Sequence, residues 1–410
     1  MATLHPFRAL RPKPSAASAI AAVPYDVVSS DEARLLAAEQ TLSFLHVSRA
    51  EVDLPPATDP YDEAVYAHAR RNYRALIAEQ FELDAEPGLY FYRLRMNDHE
   101  QVGLAGCFSI DEYDRDVIKK HERTRRDKED DRTRHMLALG AQTGPVFLTY
   151  RASADVNDLC RRVVAHAPLI DFTATDGVQH TLWRVLGADC DALVAAFSRI
   201  PTLYIADGHH RAASAARART EIAEGRASAQ PLGDGADYRT VLAVAFPHDQ
   251  VQILAYNRVV RDLAGRTPEE FLVAVADRFA ITPGQPLPAQ RGEISMYLDG
   301  AWHSLVAKQP PAPTDAIASL DVSVLQDSLL EPTLNIADVR TDKRIDFVGG
   351  ARGTDELERL VRSGQFAVAF SLHPVSVADL MAVSDADAIM PPKSTWFEPK
   401  LRDGLLLHVI

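Results

Sequence analysis

The sequence predicts an α/β or α+β protein of mixed sheets with flanking helices, gathered into two to three associated lobes. Three observations carry that expectation. Short apolar runs of strand length, such as Leu203 to Ala206 and Val241 to Phe246, alternate with stretches of helical periodicity. Several of these runs face one another across turn signals, as at Asp299-Gly300. The 410 residues, 47% hydrophobic and 25% charged, suffice for a sizeable core, and a prior of about 150 residues per domain gives two or three lobes.

Taken in order, Pro6 to Pro12 is bounded by prolines. The early Arg8, Arg11 and Lys13 resemble a transit peptide only faintly, because Pro12, Pro14 and Pro24 break any amphipathic helix. After Pro24-Tyr25-Asp26-Val27-Val28, the segment Ser29 to Glu32 reads as a helix cap, which leaves Asp26 just ahead of a helix. Phe44 to Arg49 reads as a strand, and a helix is expected from Tyr61 to about Gln80, with Val65, Ala69, Tyr73 and Leu76 on its apolar stripe. Leu89 to Arg95 and Val102 to Ile110 form a hairpin around Asn97, Asp98 and His99.

From Asp111 to His135 the chain is almost wholly charged or polar apart from Val117-Ile118. A solvated helix laced with i,i+4 pairs is one reading; a segment suited to a phosphate-rich ligand, with His121, Glu122 and Thr124 among the cations, is the other. A strand at Gly144 to Tyr150 and a helix through Val156, Leu159 and Val163 follow. Asp171 to Val185 reads as strand, Asp176-Gly177 turn and strand, with His180 on the strand surface. Glu224 to Asp237 reads as a loop, Ile253 to Val260 as a strand, Pro268 to Phe279 as a helix, and Ile294 to Leu298 with Trp302 to Val306 as a hairpin. The Pro-rich Gln309 to Thr314 is the clearest linker. Asp346 to Gly350, Thr354 to Ser363 and Phe366 to Phe370 have the spacing of a strand–helix–strand crossover. Pro391-Pro392 then stiffen a loop offering Lys393, Ser394 and Thr395 to an anion. The expected division is 1–245, carrying the first motifs, and 246–410.

The densest chemistry is Asp207-Gly208-His209-His210-Arg211, the joint between the strand at Leu203 and an Ala-rich helix from Ala212. Glycine allows close backbone approach, and a helix N-terminus offers free N–H groups to an anion. Arg211 adds a bidentate fork for phosphate, and Asp207 and the histidines add proton donors or acceptors. The bland alternative makes Asp207 a cap and the histidines polar surface.

Function classes are bounded by composition. A net charge of −13 argues against a non-specific nucleic-acid clamp, and no apolar run approaches the length that spans a membrane. Cys107, Cys160 and Cys190 are widely spaced, which fits a reducing, cytoplasmic compartment rather than a disulfide framework.

The blocks at Pro24–Val28, at His121–Thr124 with Lys128 and Asp131-Arg132, at Asp176–Val178 with His180, at Ala206–Arg211 and at Met390–Thr395 resemble, in the same order, the bacterial and archaeal family catalogued as domain of unknown function 1015. The Asp-Gly-His-His-Arg turn is also similar to that of the ParB/sulfiredoxin-like superfamily and its free-serine kinases. That resemblance implies a ParB/sulfiredoxin-like core around the turn and phosphotransfer on serine or phosphoserine, with ATP, ADP or another phosphate donor and Mg²⁺. By motif, Asp207, His209, His210 and Arg211 match that turn, and with Glu122 in the place of the family's glutamate and Asp26 ahead of its helix, the candidate catalytic residues are Glu122, His209, Asp207 and Asp26. Gly208, His210, Arg211, His121, Thr124, Lys393, Ser394 and Thr395 would bind phosphate or nucleotide, and Tyr25 and His180 the substrate. Two other classes compete: a non-enzymatic nucleotide-sensing module, and a metal-dependent hydrolase using His209, His210 and Glu122 or His121.

Overall fold

The computed structural model describes residues 1–227 and 237–410; residues 228–236 of the loop expected over 224–237 lie outside the described residues. The chain forms two compact units, 1–251 with 399–410, and 252–398. The expected division at 245/246 differs in one respect that matters for the site: the last twelve residues return to the first unit. The proline-rich Gln309–Thr314 segment is an irregular stretch inside the second unit rather than a boundary. No described helix is long and apolar enough to cross a membrane.

The first unit is built on a nine-stranded mixed sheet. In spatial order its strands are Ile118–Lys119, Leu203–Asp207, Val146–Tyr150, Thr240–Pro247, His99–Ser109, Leu89–Met96, Gln179–Val185 and Ile170–Thr173, with Leu4–His5 pairing the far end of His99–Ser109. Leu203–Asp207 runs parallel to Ile118–Lys119, and Thr240–Pro247 parallel to Val146–Tyr150; the other pairings are antiparallel. The helices Ala154–Val164, Gly187–Phe197 and His209–Ala223 bury Leu159, Phe197 and Ala215 against Phe91, Leu148, Ile205 and Val241 of the sheet. A second cluster joins Phe44, Val65, Tyr73, Leu139 and Leu407.

The sheet explains where sequence expectation and structure part. The charged run 111–135 is three pieces rather than one helix: helix Ile110–Asp114, edge strand Ile118–Lys119 and helix Arg126–Leu139. Ile118 is 1% exposed, so its burial at the sheet edge outweighs the helical tendency of its neighbours. Phe44–Arg49 is not a strand; Leu45–Ser48 is a helical turn, because an unbroken apolar run does not distinguish the two and here Phe44, Leu45 and Val47 all reach the core. The expected strand over 253–260 divides at Ala255, with Gln252–Leu254 pairing Trp396–Glu398 and Tyr256–Val260 entering another sheet.

The second unit holds a six-stranded antiparallel sheet in the order Phe279–Pro283, Ala301–Ala307, Glu293–Leu298, Val368–Leu372, Tyr256–Val260, Ile345–Gly349. The expected crossover is present: Ile345–Gly349 and Val368–Leu372, joined by helix Gly353–Arg362, both run antiparallel to Tyr256–Val260, which lies between them.

The returning tail is structural. Leu405, Leu406, Leu407 and Ile410 are at most 2% exposed, and His408–Val409 pairs with Ala141–Gln142. Removing residues 399–410 gives up roughly 1.5–3 kcal/mol for each buried large side chain, an amount comparable to a domain's whole net stability. A truncated chain is therefore expected to show no cooperative thermal unfolding of the first unit by circular dichroism.

Candidate functional site

The Asp207–Arg211 turn sits where the strand Leu203–Asp207 leaves the sheet. Leu203 to Ala206 are buried, and the register against Val146–Tyr150 shifts between Ile205 and Asp207, an irregularity that re-aims the end of the strand. Gly208 has φ +92°, a left-handed conformation that glycine adopts without strain, and its Cα faces the Val146 backbone, which a Cβ would approach to 3.4 Å. The helix begins at His209, three residues earlier than the alanine pattern indicates, and Gly208 is its N-cap with no side-chain cap. Asp207 is therefore not the cap.

Instead one carboxylate oxygen of Asp207 accepts the Gly208 N–H at 2.8 Å and the other accepts from Lys400 Nζ at 2.8 Å. Burial would raise its pKa, but Lys400, Arg211 and the Gly208 N–H together hold it at about 2. The two histidines anchor the preceding loop. His209 Nε2 accepts the His121 N–H at 3.4 Å, and His210 Nε2 accepts the Arg125 N–H at 3.1 Å, so the loop from 121 to 125 is pinned at both ends. The rings of His121 and His209 meet edge to face, 4.4 Å between centroids, and both are buried. Burial lowers the pKa of His121 to about 4, opposed by the Ile205 carbonyl and Asp207, and takes His209 well below its ordinary value. Ligand atoms of His121, Glu122 and His209 lie within 4.8 Å of one another. Thr124 donates its hydroxyl to Glu129.

On the other side of the turn Arg211 closes a recess of about 40 Å³, lined by Tyr25, Arg132, His135, Gly144 and Asp403 among others. Both terminal nitrogens of Arg211 hold Asp403, at 2.7 and 3.3 Å. Burial works against the Arg211 charge, and Asp403, Asp26 and Tyr25 together more than offset it, which raises the guanidinium pKa. Tyr25 lies under two guanidinium groups, with Arg132 4.1 Å and Arg211 5.5 Å from its ring centroid. Burial and the charge of exposed Asp26 push its hydroxyl pKa up. Arg132 in turn pairs with Asp131, which also accepts from the Tyr66 hydroxyl at 2.8 Å. The Arg211 fork expected to meet phosphate is thus already on a carboxylate, and the recess has room for a few waters rather than a nucleotide.

His180 is not on a strand surface. It is 0% exposed, with Nδ1 2.8 Å from the Tyr92 hydroxyl and Nε2 accepting from Arg402 at 3.2 Å, while Arg402 also holds Asp176. One face of the ring stacks on Phe172, and the side chain is wholly buried. Lys393, Ser394 and Thr395 belong to the second unit. There Ser394 donates to the Pro391 carbonyl at 2.6 Å and is buried as a turn staple, while Lys393, at φ +58°, places Nζ 5.4 Å from the Tyr256 ring centroid.

Sequence reasoning missed the residues that tie the motifs together. Lys400 pairs with Asp207, Arg402 with Asp176 and His180, and Asp403 with Arg211, so three residues within a stretch of four reach two separate blocks. A signal was present: three charges in four residues directly before the apolar Leu405-Leu406-Leu407 cannot stay near a core without partners.

Two outcomes follow from this geometry. A Cβ on Gly144 would overlap Arg211 and Asp403 at 1.8 and 2.1 Å, so Gly144→Ala is expected to break the buried pair and lower unfolding stability by about 3–5 kcal/mol in urea titration. His135, 7% exposed, donates its Nε2–H to the Val47 carbonyl at 2.9 Å, as a carbonyl oxygen only accepts. Burial, with Arg132 adding to it, lowers its pKa to about 4 from 6.5. A depressed folded-state pKa contributes stability that is present above pH 6.5 and lost as pH falls toward 4. His135→Gln is expected to remove roughly 3 kcal/mol of that acid dependence, read as a flatter plot of urea midpoint against pH.

Among solved structures, a conserved hypothetical protein from Pyrococcus furiosus aligns at TM-score 0.37 and 12% identity, covering 74% of this chain and 95% of that chain. A free serine kinase in complex with AMP aligns at 0.36 and 12%, covering 73% and 92%. SbnI from Staphylococcus aureus, truncated at its C-terminus, aligns at 0.39 and 11%, covering 73% and 85%. Alignments at these scores carry no argument about shared chemistry. No curated protein matches the chain. The family described as "Protein of unknown function (DUF1015)" matches residues 4–323, well over half of the sequence, and the chain belongs to that family.

Proposed function

We propose that the protein is a phosphotransfer enzyme that moves a phosphoryl group between a nucleotide and serine. The observation that supports this reading best is the Asp207–Arg211 joint: a left-handed glycine opens the backbone, the first-turn N–H groups of a 15-residue helix follow, and a lysine and a glutamate stand on either side. The N–H groups of a first helical turn have no intrahelical acceptor and favour an anionic oxygen. Serine as the acceptor comes from the resemblance of the turn to the free-serine kinases.

In the kinase direction the serine hydroxyl attacks the terminal phosphorus of the nucleotide, the bond to the bridging oxygen breaks, and Glu122 takes the hydroxyl proton. Lys400 and the helix N-terminus stabilise the charge that develops on the phosphoryl oxygens. Asp207 fixes Lys400, His209 and His210 fix the loop that carries Glu122, and Tyr25 and Asp26 border the Arg211 side. Mg²⁺ would arrive with the nucleotide as part of the substrate. The protein's own His121–Glu122–His209 set does not suit it, since Mg²⁺ takes oxygen ligands. Hydrolysis of phosphoserine is the second reading, favoured by that same triad, because water would replace the nucleotide as the partner of the same bond.

Phosphorus NMR of the purified protein separates these. O-phosphoserine is expected to disappear with ADP, and to form from serine and ATP, whereas loss of phosphoserine without nucleotide identifies the hydrolytic reading. Persistence of phosphoserine in both conditions, with none formed from serine and ATP, ADP or pyrophosphate, sinks both in favour of a nucleotide-sensing module. Glu122→Gln and Lys400→Ala are each expected to lower turnover roughly a hundredfold.

A further inference from the structure

We infer that His121, Glu122 and His209 form a binding site for a zinc-class divalent cation. Two observations converge on it. The ligand atoms of the three side chains lie within 4.8 Å of one another. Independently, among the described residues neither ring nitrogen of His121 meets a partner in good hydrogen-bond geometry, only the Ile205 carbonyl standing near, although the residue is only 2% exposed. A buried polar group without a partner costs about 1–3 kcal/mol, and native structures keep few of them. A metal would turn one of those nitrogens from a cost into a bond, and the nearby Ile205 carbonyl would receive the other once the ring settles on the ion.

The donor set chooses the ion. Two imidazoles and one carboxylate suit Zn²⁺ and its Co²⁺ or Ni²⁺ analogues, whereas Mg²⁺ demands oxygen ligands. Tetrahedral bonds near 2.1 Å set ligand atoms about 3.4 Å apart, so atoms spread over as much as 4.8 Å draw together on loading. Glu122, half-buried on the loop from 121 to 125, is the member placed to supply that movement. Burial disfavours the protonated form of both imidazoles, which suits them as ligands. The helix N-terminus opposes a cation, but Glu122 and Asp207 offset it, and Lys400 balances Asp207. Three protein ligands leave a coordination position open toward the joint.

The site goes beyond the phosphotransfer reading and is tested without it. The full chain, stripped with EDTA and dialysed, is titrated with Zn²⁺ and separately with Mg²⁺ by calorimetry, and the Co²⁺ form is examined by visible absorption. One Zn²⁺ per chain, bound at least a hundredfold tighter than Mg²⁺, and a Co²⁺ spectrum of four- or five-coordinate intensity are expected. Glu122→Gln and His121→Ala should each weaken Zn²⁺ at least tenfold. Because His121 is buried, the isosteric variant Glu122→Gln at a half-buried loop position keeps the test decisive if His121→Ala fails to fold. His68→Gln controls for the separate surface group in which His46 and His68 share Asp53, and it should leave the stoichiometry unchanged. No stoichiometric Zn²⁺, a Co²⁺ spectrum like that of the aquo ion, or undiminished binding in Glu122→Gln overturns the site. A chain that binds Zn²⁺ but leaves phosphoserine and serine untouched overturns only the reaction, and one that turns them over without Zn²⁺ affinity overturns only the site.

Discussion

The buried ion pair between Arg211 and Asp403 is the constraint on which the rest of the first unit's site depends. A charge taken out of water is costly unless its partner is fixed, and removing one member of such a pair leaves the other uncompensated. Here the requirement propagates. Asp403 can meet Arg211 only if Gly144 carries no side chain and if the tail comes back to the sheet, and the Tyr25 ring stands beside the guanidinium. The neighbours Arg402 and Lys400 are placed by the same return, which sets Arg402 on Asp176 and His180 and Lys400 on Asp207. Three motif blocks that are far apart in sequence, at Tyr25, at Asp176 with His180 and at Asp207 to Arg211, are thereby held in one electrostatic arrangement.

The turn itself works by division of labour. Gly208 supplies the backbone conformation and the cap position, which releases Asp207 to hold a lysine. His209 and His210, one beside the other, point to the two ends of the same loop, and that is why adjacent histidines serve here although they project in different directions. The metal reading that groups His210 with His209 fails on this point, since His210 is turned to the Arg125 N–H. The group that does converge uses His121 in its place.

What could be read from sequence was what local chemistry decides. Asp299-Gly300 joins its strands as a two-residue turn with both residues at positive φ, and Ser29 with Glu32 forms a capping box, because the signals lie within four residues of the element they govern. The strand-to-helix joint at Asp207–Arg211 was legible for the same reason. Arg211 and Asp403 stand 192 positions apart, and no periodicity links them. His180 was misplaced because an antiparallel strand was assumed to have one wet face; it pairs Leu94 and Phe172 on either side and is covered by Arg402 as well. Phe44–Ser48 was ambiguous in kind, since a short apolar run fits strand and helix equally.

The insertion of one unit within the other sets an order in time. As the chain emerges during synthesis, Arg211 and Asp207 are made long before Asp403 and Lys400, with all of residues 252–398 in between. At the usual pace of translation that delay is on the order of ten seconds, during which a guanidinium, a carboxylate and the sheet edge at Ala141–Gln142 lack the partners that complete them. Residues 252–398 are all made within that interval, whereas the first unit cannot be completed until its final segment arrives. A ribosome that stops early therefore releases a chain whose chemistry has not been assembled, and the enclosed unit acts as a timer on the appearance of the site.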